Sequence, residues 1–247
     1  MKIKNNLHVG LTGSRAQIAI ALTIGLSMFV SNAFAQVKGY FLFNDISISQ
    51  QTDGVVVDID RYFKAVMTDF KPEDGEGAVV SFITIGVRSI PVVHTISLEE
   101  SNWLITPQAQ RKAKIDEFKA KLQNGLEQLF ATEKKDQSTQ LYRGICYGLE
   151  HIEDELDSRS VYIVSDFIES SYVLEMGQYA DNPQALLSNY DSLKSALIED
   201  KPLPENMENI TFTFLCNSEY ELPVWATRFF ERFFREAGST VKVKATL

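Results

Sequence analysis

The sequence predicts an α/β fold: a doubly wound, mostly parallel six-stranded sheet with one antiparallel edge strand and helices on both faces. Three observations predict it. Short apolar, β-branched runs alternate with longer helical patterns over residues 36–247, which is the order a parallel sheet with crossover helices requires. Two of the runs are separated by Val87 and Arg88 alone; that gap cannot hold a crossover, so this pair must be an antiparallel hairpin at one edge. No repeat, low-complexity tract or Pro/Gly-rich linker divides the 212 residues from 36 to 247, a length that buries one substantial core.

Residues 1–35 stand apart from this pattern. Lys2, Lys4 and Arg15 precede the apolar stretch IAIALTIGLSMFV, and Ala33 and Ala35 then occupy the small-residue positions of a signal-peptidase site. A membrane anchor is the competing reading, but an apolar core of about 13 residues is short for a span of roughly 20. The expectation is an export signal over 1–35, a single domain over 36–247, and no membrane span after cleavage.

The strands are read at 37–45 (VKGYFLFND), 77–86 (GAVVSFITIG), 89–98 (SIPVVHTISL), 160–167 (SVYIVSDF), 209–217 (NITFTFLCN) and 241–247 (VKVKATL). Helices are read at 55–70, 107–135, 141–156, 183–200 and 223–238. Pro107, Pro183 and Pro223 lie at or near the starts of three of them, and Gly238 closes the last. The aromatic and basic run Arg228, Phe229, Phe230, Arg232, Phe233, Phe234 and Arg235 has helical spacing, and the simplest reading buries its rings against the sheet. An exposed docking face is the alternative. The segment 170–182 (SSYVLEMGQYADN) is the longest without an assigned element, and suits either a functional loop or a plain surface insertion.

Charge narrows the function classes. Residues 36–247 keep 21 Lys and Arg against 33 Asp and Glu, a net charge of about −12. Such a surface repels nucleic acid and anionic lipid heads. Cys146, read inside a helix, and Cys216, read at a strand end, are the only cysteines; their positions neither require nor forbid a disulfide in an exported chain.

The candidate site begins where the first strand ends. Asp45, Ser47 and Ser49 follow the apolar run at every second position, at the carboxyl end of a strand, where open α/β sheets bind their ligands. Two further segments bring oxygen atoms to the same rim: Asp166 follows Ser165 at the end of the fourth strand, and Thr139 stands at the entry of a helix. An all-oxygen set suits a hard divalent cation, Mg²⁺ first, with Mn²⁺ or Ca²⁺ as alternatives. Softer metals would ask for His or Cys. Because several of these groups are neutral hydroxyls, a bound cation would keep much of its charge and seek an acidic ligand from outside.

The set D-x-S-x-S at Asp45, Ser47 and Ser49, with Thr139 and Asp166 in order on the expected elements, resembles the metal-ion-dependent adhesion site of the von Willebrand factor type A domain. The resemblance extends over essentially all of residues 36–247, since the order of elements also fits that fold. It implies that the Asp-Ser-Ser trio and Thr139 ligate the cation, that Asp166 does so directly or through water, and that the open position takes an Asp or Glu of a partner protein. Two departures stand out. Asp136, Gln137 and Ser138 occupy a step that is usually glycine-rich, with Asp136 reading as a solvated loop charge or as support for a ligand. Phe167 follows Asp166 where a glycine is common.

Competing chemistries fail on residue type. A haloacid-dehalogenase-like phosphatase needs a second carboxylate two residues after the first, where this chain has Ser47. A serine hydrolase needs an activated Ser with a His base, but His8 leaves with the signal, His94 lies within an apolar strand and His151 sits on an acidic helix. No phosphate-cradling glycine motif is present. The expectation is a non-enzymatic, exported, metal-dependent protein-binding module that captures an acidic side chain of a partner. The alternative is an envelope scaffold or assembly protein whose partner binding does not depend on the metal.

Overall fold

The first strand, β1 (Val37–Asp45), is buried from Gly39 to its end, as a strand covered on both faces must be. Its alternation sorts the core into two layers. Phe41 and Phe43 join one apolar cluster, while Tyr40 and Leu42 join the other.

The computed structural model describes residues 36–47, 58–86, 92–102, 106–132, 136, 138–150, 156–216 and 220–245. The export signal over 1–35, Ser49, the Val87–Arg88 connection and His151 lie outside these residues. Residues 36–247 form one compact unit, and among the described residues no helix is long and apolar enough to cross a membrane.

After β1 come α1 (Ile59–Asp69), β2 (Gly77–Ile85), β3 (Val92–Leu98), α2 (Gln108–Ala131), α3 (Leu141–Glu150) and β4 (Ser158–Val164). The chain continues through α4 (Ala185–Ser188), α5 (Tyr190–Asp200), β5 (Ile210–Leu215), α6 (Glu221–Glu236) and β6 (Thr240–Lys244). The sheet order is β3-β2-β1-β4-β5-β6. Five strands run parallel, and β3 pairs antiparallel with β2 at one edge. This is the expected six-stranded, doubly wound α/β fold. Strand order reverses between β1 and β4, which opens a crevice at their carboxyl ends.

Helices α1 and α2 cover one face through Tyr62, Val66, Phe118, Leu122 and Leu126. The other face is covered by α3, α5 and α6, with Phe229, Phe230, Phe233 and Phe234 of α6 all buried. That settles the aromatic run as core, each ring contributing roughly 1.5–3 kcal/mol by burial. Cys146 is buried and Cys216 half-buried, both as free thiols.

Some boundaries move for identifiable reasons. Asp58 caps α1 by accepting the Arg61 N–H at 3.2 Å, so that helix starts at Ile59. The helix read over 183–200 is two, because Asn189 leaves helical geometry at φ −100° and ψ 12°. Strand β4 spans 158–164 rather than 160–167, since Phe167 adopts a left-handed backbone with φ 62° that cannot continue a ladder.

Helix α3 sits close on the sheet because two of its inward positions lack side chains. A Cβ on Gly144 would lie 2.7 Å from Ile85, and one on Gly148 would lie 2.5 Å from the Phe43 ring. Neither core residue has room to give. Gly148→Ala should therefore cost about 1–3 kcal/mol by overpacking despite the better helix propensity of alanine, as a lowered urea midpoint with unchanged slope would register.

Candidate metal centre

Parity along the strands decides which side chains meet at the rim. Phe41 and Phe43 face α3, so Asp45 does too. In β4, Val161 and Ile163 pair beside Phe41 and Phe43 and share their cluster, which places Ser165 on the same side. Asp45 is fully buried and gathers donors from both neighbouring segments. Its Oδ1 accepts the Thr139 Oγ1–H and the Ser47 backbone N–H, each at 2.9 Å. Its Oδ2 accepts the Ser165 Oγ–H at 2.7 Å. Burial pushes the Asp45 carboxyl above the usual range, and the bonds from Ser165, Ser47 and Thr139 pull it back only in part.

Of the five residues picked from the sequence, Asp45, Ser47 and Thr139 are joined by these contacts, and Ser47 and Thr139 are themselves buried. Asp166 is buried one residue beyond the Ser165 hydroxyl, with its Oδ1 accepting the Ile168 N–H at 3.0 Å. Ser49 lies outside the described residues. Ser165 was not among the picks, and the period-2 alternation ending in it was the signal that could have found it.

Asp136 is not a solvated loop charge. It is half-buried and forms a parallel bridge with Ser47. Its Oδ2 packs against Gly86, where a Cβ would come within 2.0 Å. The backbone that follows is held by Gln140, whose N–H donates to the Gly86 carbonyl at 3.2 Å.

The segment after β4 closes the site from the other side. The ring of Phe167 is buried 4.4 Å from Phe214, which holds the residue in its left-handed conformation against a strain of roughly 1–3 kcal/mol. Glu169 is buried and accepts the Tyr142 N–H at 2.8 Å, while Ser170 donates its N–H to the Thr139 carbonyl at 2.9 Å. Residues 170–182 are not a loose loop. Ser170 bridges Glu175, Leu174 and Met176 enter the core, and a 3₁₀ turn spans Met176–Tyr179. Helix α3 also meets this segment: Arg143 makes a two-pronged pair with Asp200 at 2.6 and 2.7 Å, and its guanidinium lies over the Tyr172 ring.

Among the described residues no three His, Cys, Asp or Glu side chains group as a metal cage. The donor set is instead carboxylate plus hydroxyl, all oxygen, and it fits a hard divalent cation. A buried carboxylate penalised for its charge is the group that a cation would relieve.

No family model matches the chain, and no curated protein matches it. Several solved structures resemble it, three of them as follows. A mutant of the PilB minor pilin from Streptococcus sanguinis aligns at 11% identity and TM-score 0.45 over 85% of this chain and 57% of that one. The human COPII-coat protein Sec24c aligns at 12% and 0.44 over 88% of this chain and 31% of that one. Proximal thread matrix protein 1 from the mussel byssus aligns at 12% and 0.37 over 83% and 46%. The chain thus spans between about a third and three fifths of their lengths.

Glu169 makes stability depend on pH. Burial pushes its carboxyl up to about 7, the Tyr142 N–H offsets part of that, and Asp45 raises it further. Because the folded value lies above the ordinary 4.5, the group's favourable contribution is complete below that ordinary value. It is lost as pH rises through about 7. With divalent cations chelated, urea unfolding at pH 5 and pH 8 should show the native chain losing roughly 3 kcal/mol more than Glu169→Gln across that interval.

Proposed function

We propose that this chain is an exported, metal-dependent protein-binding module of the von Willebrand factor type A kind, in which a divalent cation captures an acidic side chain of a partner protein. The observation that carries the reading is the convergence of the Thr139 and Ser165 hydroxyls on the fully buried Asp45 carboxylate. They meet where strand order reverses between β1 and β4, the position at which open sheets of this class bind ligands.

Asp45, Ser47, Ser49, Thr139 and Asp166 would hold the ion, with Ser165 orienting Asp45 from behind. When bound, Mg²⁺ or a similar cation supplies a Lewis-acidic position for a carboxylate. The residues of the chain do the rest: Asp45 neutralises part of the charge, and the hydroxyls solvate it without cancelling it. An acidic protein surface keeps nucleic acid away. Among the described residues His94 lies on the edge strand β3 stacked over Phe82, which favours binding over histidine-based catalysis. Export, to the periplasm or beyond the cell, rests on the signal-like residues 1–35.

Only the folded state assembles these oxygens, so Mg²⁺ or Mn²⁺ should raise the melting temperature by mass action. At a hundredfold excess over Kd the gain is about 2.7 kcal/mol, or roughly 5–10 °C for a domain of this size. Asp45→Ala should abolish the rise while the far-ultraviolet circular dichroism stays native. A variant that still responds to metal would overturn the assignment. Partner capture from an extract with and without EDTA then separates this reading from a scaffold, whose binding survives the chelator.

A further inference from the structure

Helix α3 begins at Leu141, two residues after Thr139, and its first amide groups need acceptors from outside the helix. The ordinary solution is a Ser, Thr, Asp or Asn at the residue before the helix. Here that residue is Gln140, and the hydroxyl of Thr139 is already donated to Asp45 at 2.9 Å. The acceptor comes instead from a different part of the chain. Glu169, 1% exposed, takes the Tyr142 N–H at 2.8 Å, which is the second amide of the helix and the one a local cap would serve.

We propose that Glu169 is a positioning residue for the metal centre: its carboxylate holds the first turn of α3, and so sets the place of the Thr139 hydroxyl against Asp45. The proposal rests on the metal-site reading above and concerns how that site is kept in register. Two consecutive residues grip Thr139. Glu169 fixes the turn that follows it, and Ser170 fixes its carbonyl through an N–H at 2.9 Å. Glu169 is itself anchored, donating its N–H to the Met176 sulfur at 3.5 Å, and Met176 is fully buried. A negative charge at a helix N-terminus is favoured by the aligned peptide dipoles. The Tyr142 and Leu141 N–H groups and the Ser171 hydroxyl serve the carboxylate while the charge of Asp45 opposes it, and none of them neutralises it. A role confined to folding would be served better by a neutral acceptor.

That contrast supplies the test. Mn²⁺ affinity is measured by titration calorimetry at pH 8 for the native chain, Glu169→Gln, Glu169→Ala and Leu122→Ala, with urea unfolding of each at the same pH. Leu122 is buried in the opposite layer and serves as a destabilised control. Outer groups that orient metal ligands are worth about 10–100-fold in affinity, so Glu169→Ala should weaken Mn²⁺ binding by about tenfold or more. Glu169→Gln keeps one acceptor oxygen and should weaken binding by more than twofold but less than Glu169→Ala does, while unfolding at a higher urea concentration than the native chain. A merely structural residue would move both quantities in the same direction. Leu122→Ala should lose stability and keep its Mn²⁺ affinity within about twofold. Mn²⁺ affinity within twofold of native in Glu169→Gln overturns the proposal even if Glu169→Ala fails to fold, and so does an equal loss of affinity in Leu122→Ala. A native chain that binds no Mn²⁺ overturns the metal reading, and this proposal with it.

Discussion

A carboxylate with no solvent exposure stands at the end of β1, and the upper rim of the molecule is organised around satisfying it. Asp45 cannot be hydrated where it lies, and an ionised group removed from water costs several kcal/mol unless donors replace the lost solvent. The donors are distant in sequence, the Thr139 and Ser165 hydroxyls lying 94 and 120 positions away. Only a sheet that sets β4 directly beside β1, with α3 packed over both, brings them to the same two oxygens. The strand order is therefore a condition of the site as much as of the core.

The six residues from Ser165 to Ser170 concentrate several tasks. Ser165 bonds Asp45, Asp166 brings the second carboxylate, Phe167 turns the chain, Glu169 caps α3 and Ser170 holds Thr139. The turn at Phe167 is unfavourable for a residue with a bulky side chain. Burial of its ring between Phe214 and Phe230 is of a size to offset that strain. Apolar packing from β5 and α6 is in this way transmitted to the backbone that carries Asp166. The buried charge of Glu169 runs in the opposite sense, lowering stability above neutral pH while keeping the helix start fixed.

The scaffold beneath is stiff where the site needs it. Helix α3 lies on Ile85 and Phe43 through Gly144 and Gly148, and the Arg143–Asp200 pair ties its first turns to α5. The four phenylalanines of α6 pack on one another and on Phe212 and Phe214, so a displacement of that helix would have to repack several rings together. Ligand groups held by such elements keep their geometry better than groups on free loops.

Apolar alternation and element spacing were enough to determine the α/β class, six strands, the antiparallel edge and the burial of the α6 aromatics, because these follow from local period and from connection length. The same pattern placed Asp45, Thr139 and Asp166 at strand or helix ends. Tertiary structure decided the rest. Alternation along the fourth strand gives the face of Ser165, but that its hydroxyl lies level with Asp45 depends on the register of Phe43 with Ile163, which is set between strands. The left-handed Phe167 is tolerated because distant rings enclose it, and on either side of the break at Asn189 Leu186 and Tyr190 enter the same core. The half-buried seat of Asp136 requires Gly86 to pass beneath it, and the cap from Glu169 joins residues 27 apart. Sequence periodicity reports the face on which a residue lies; contacts between segments far apart in the chain exist only once the sheet has set those segments side by side.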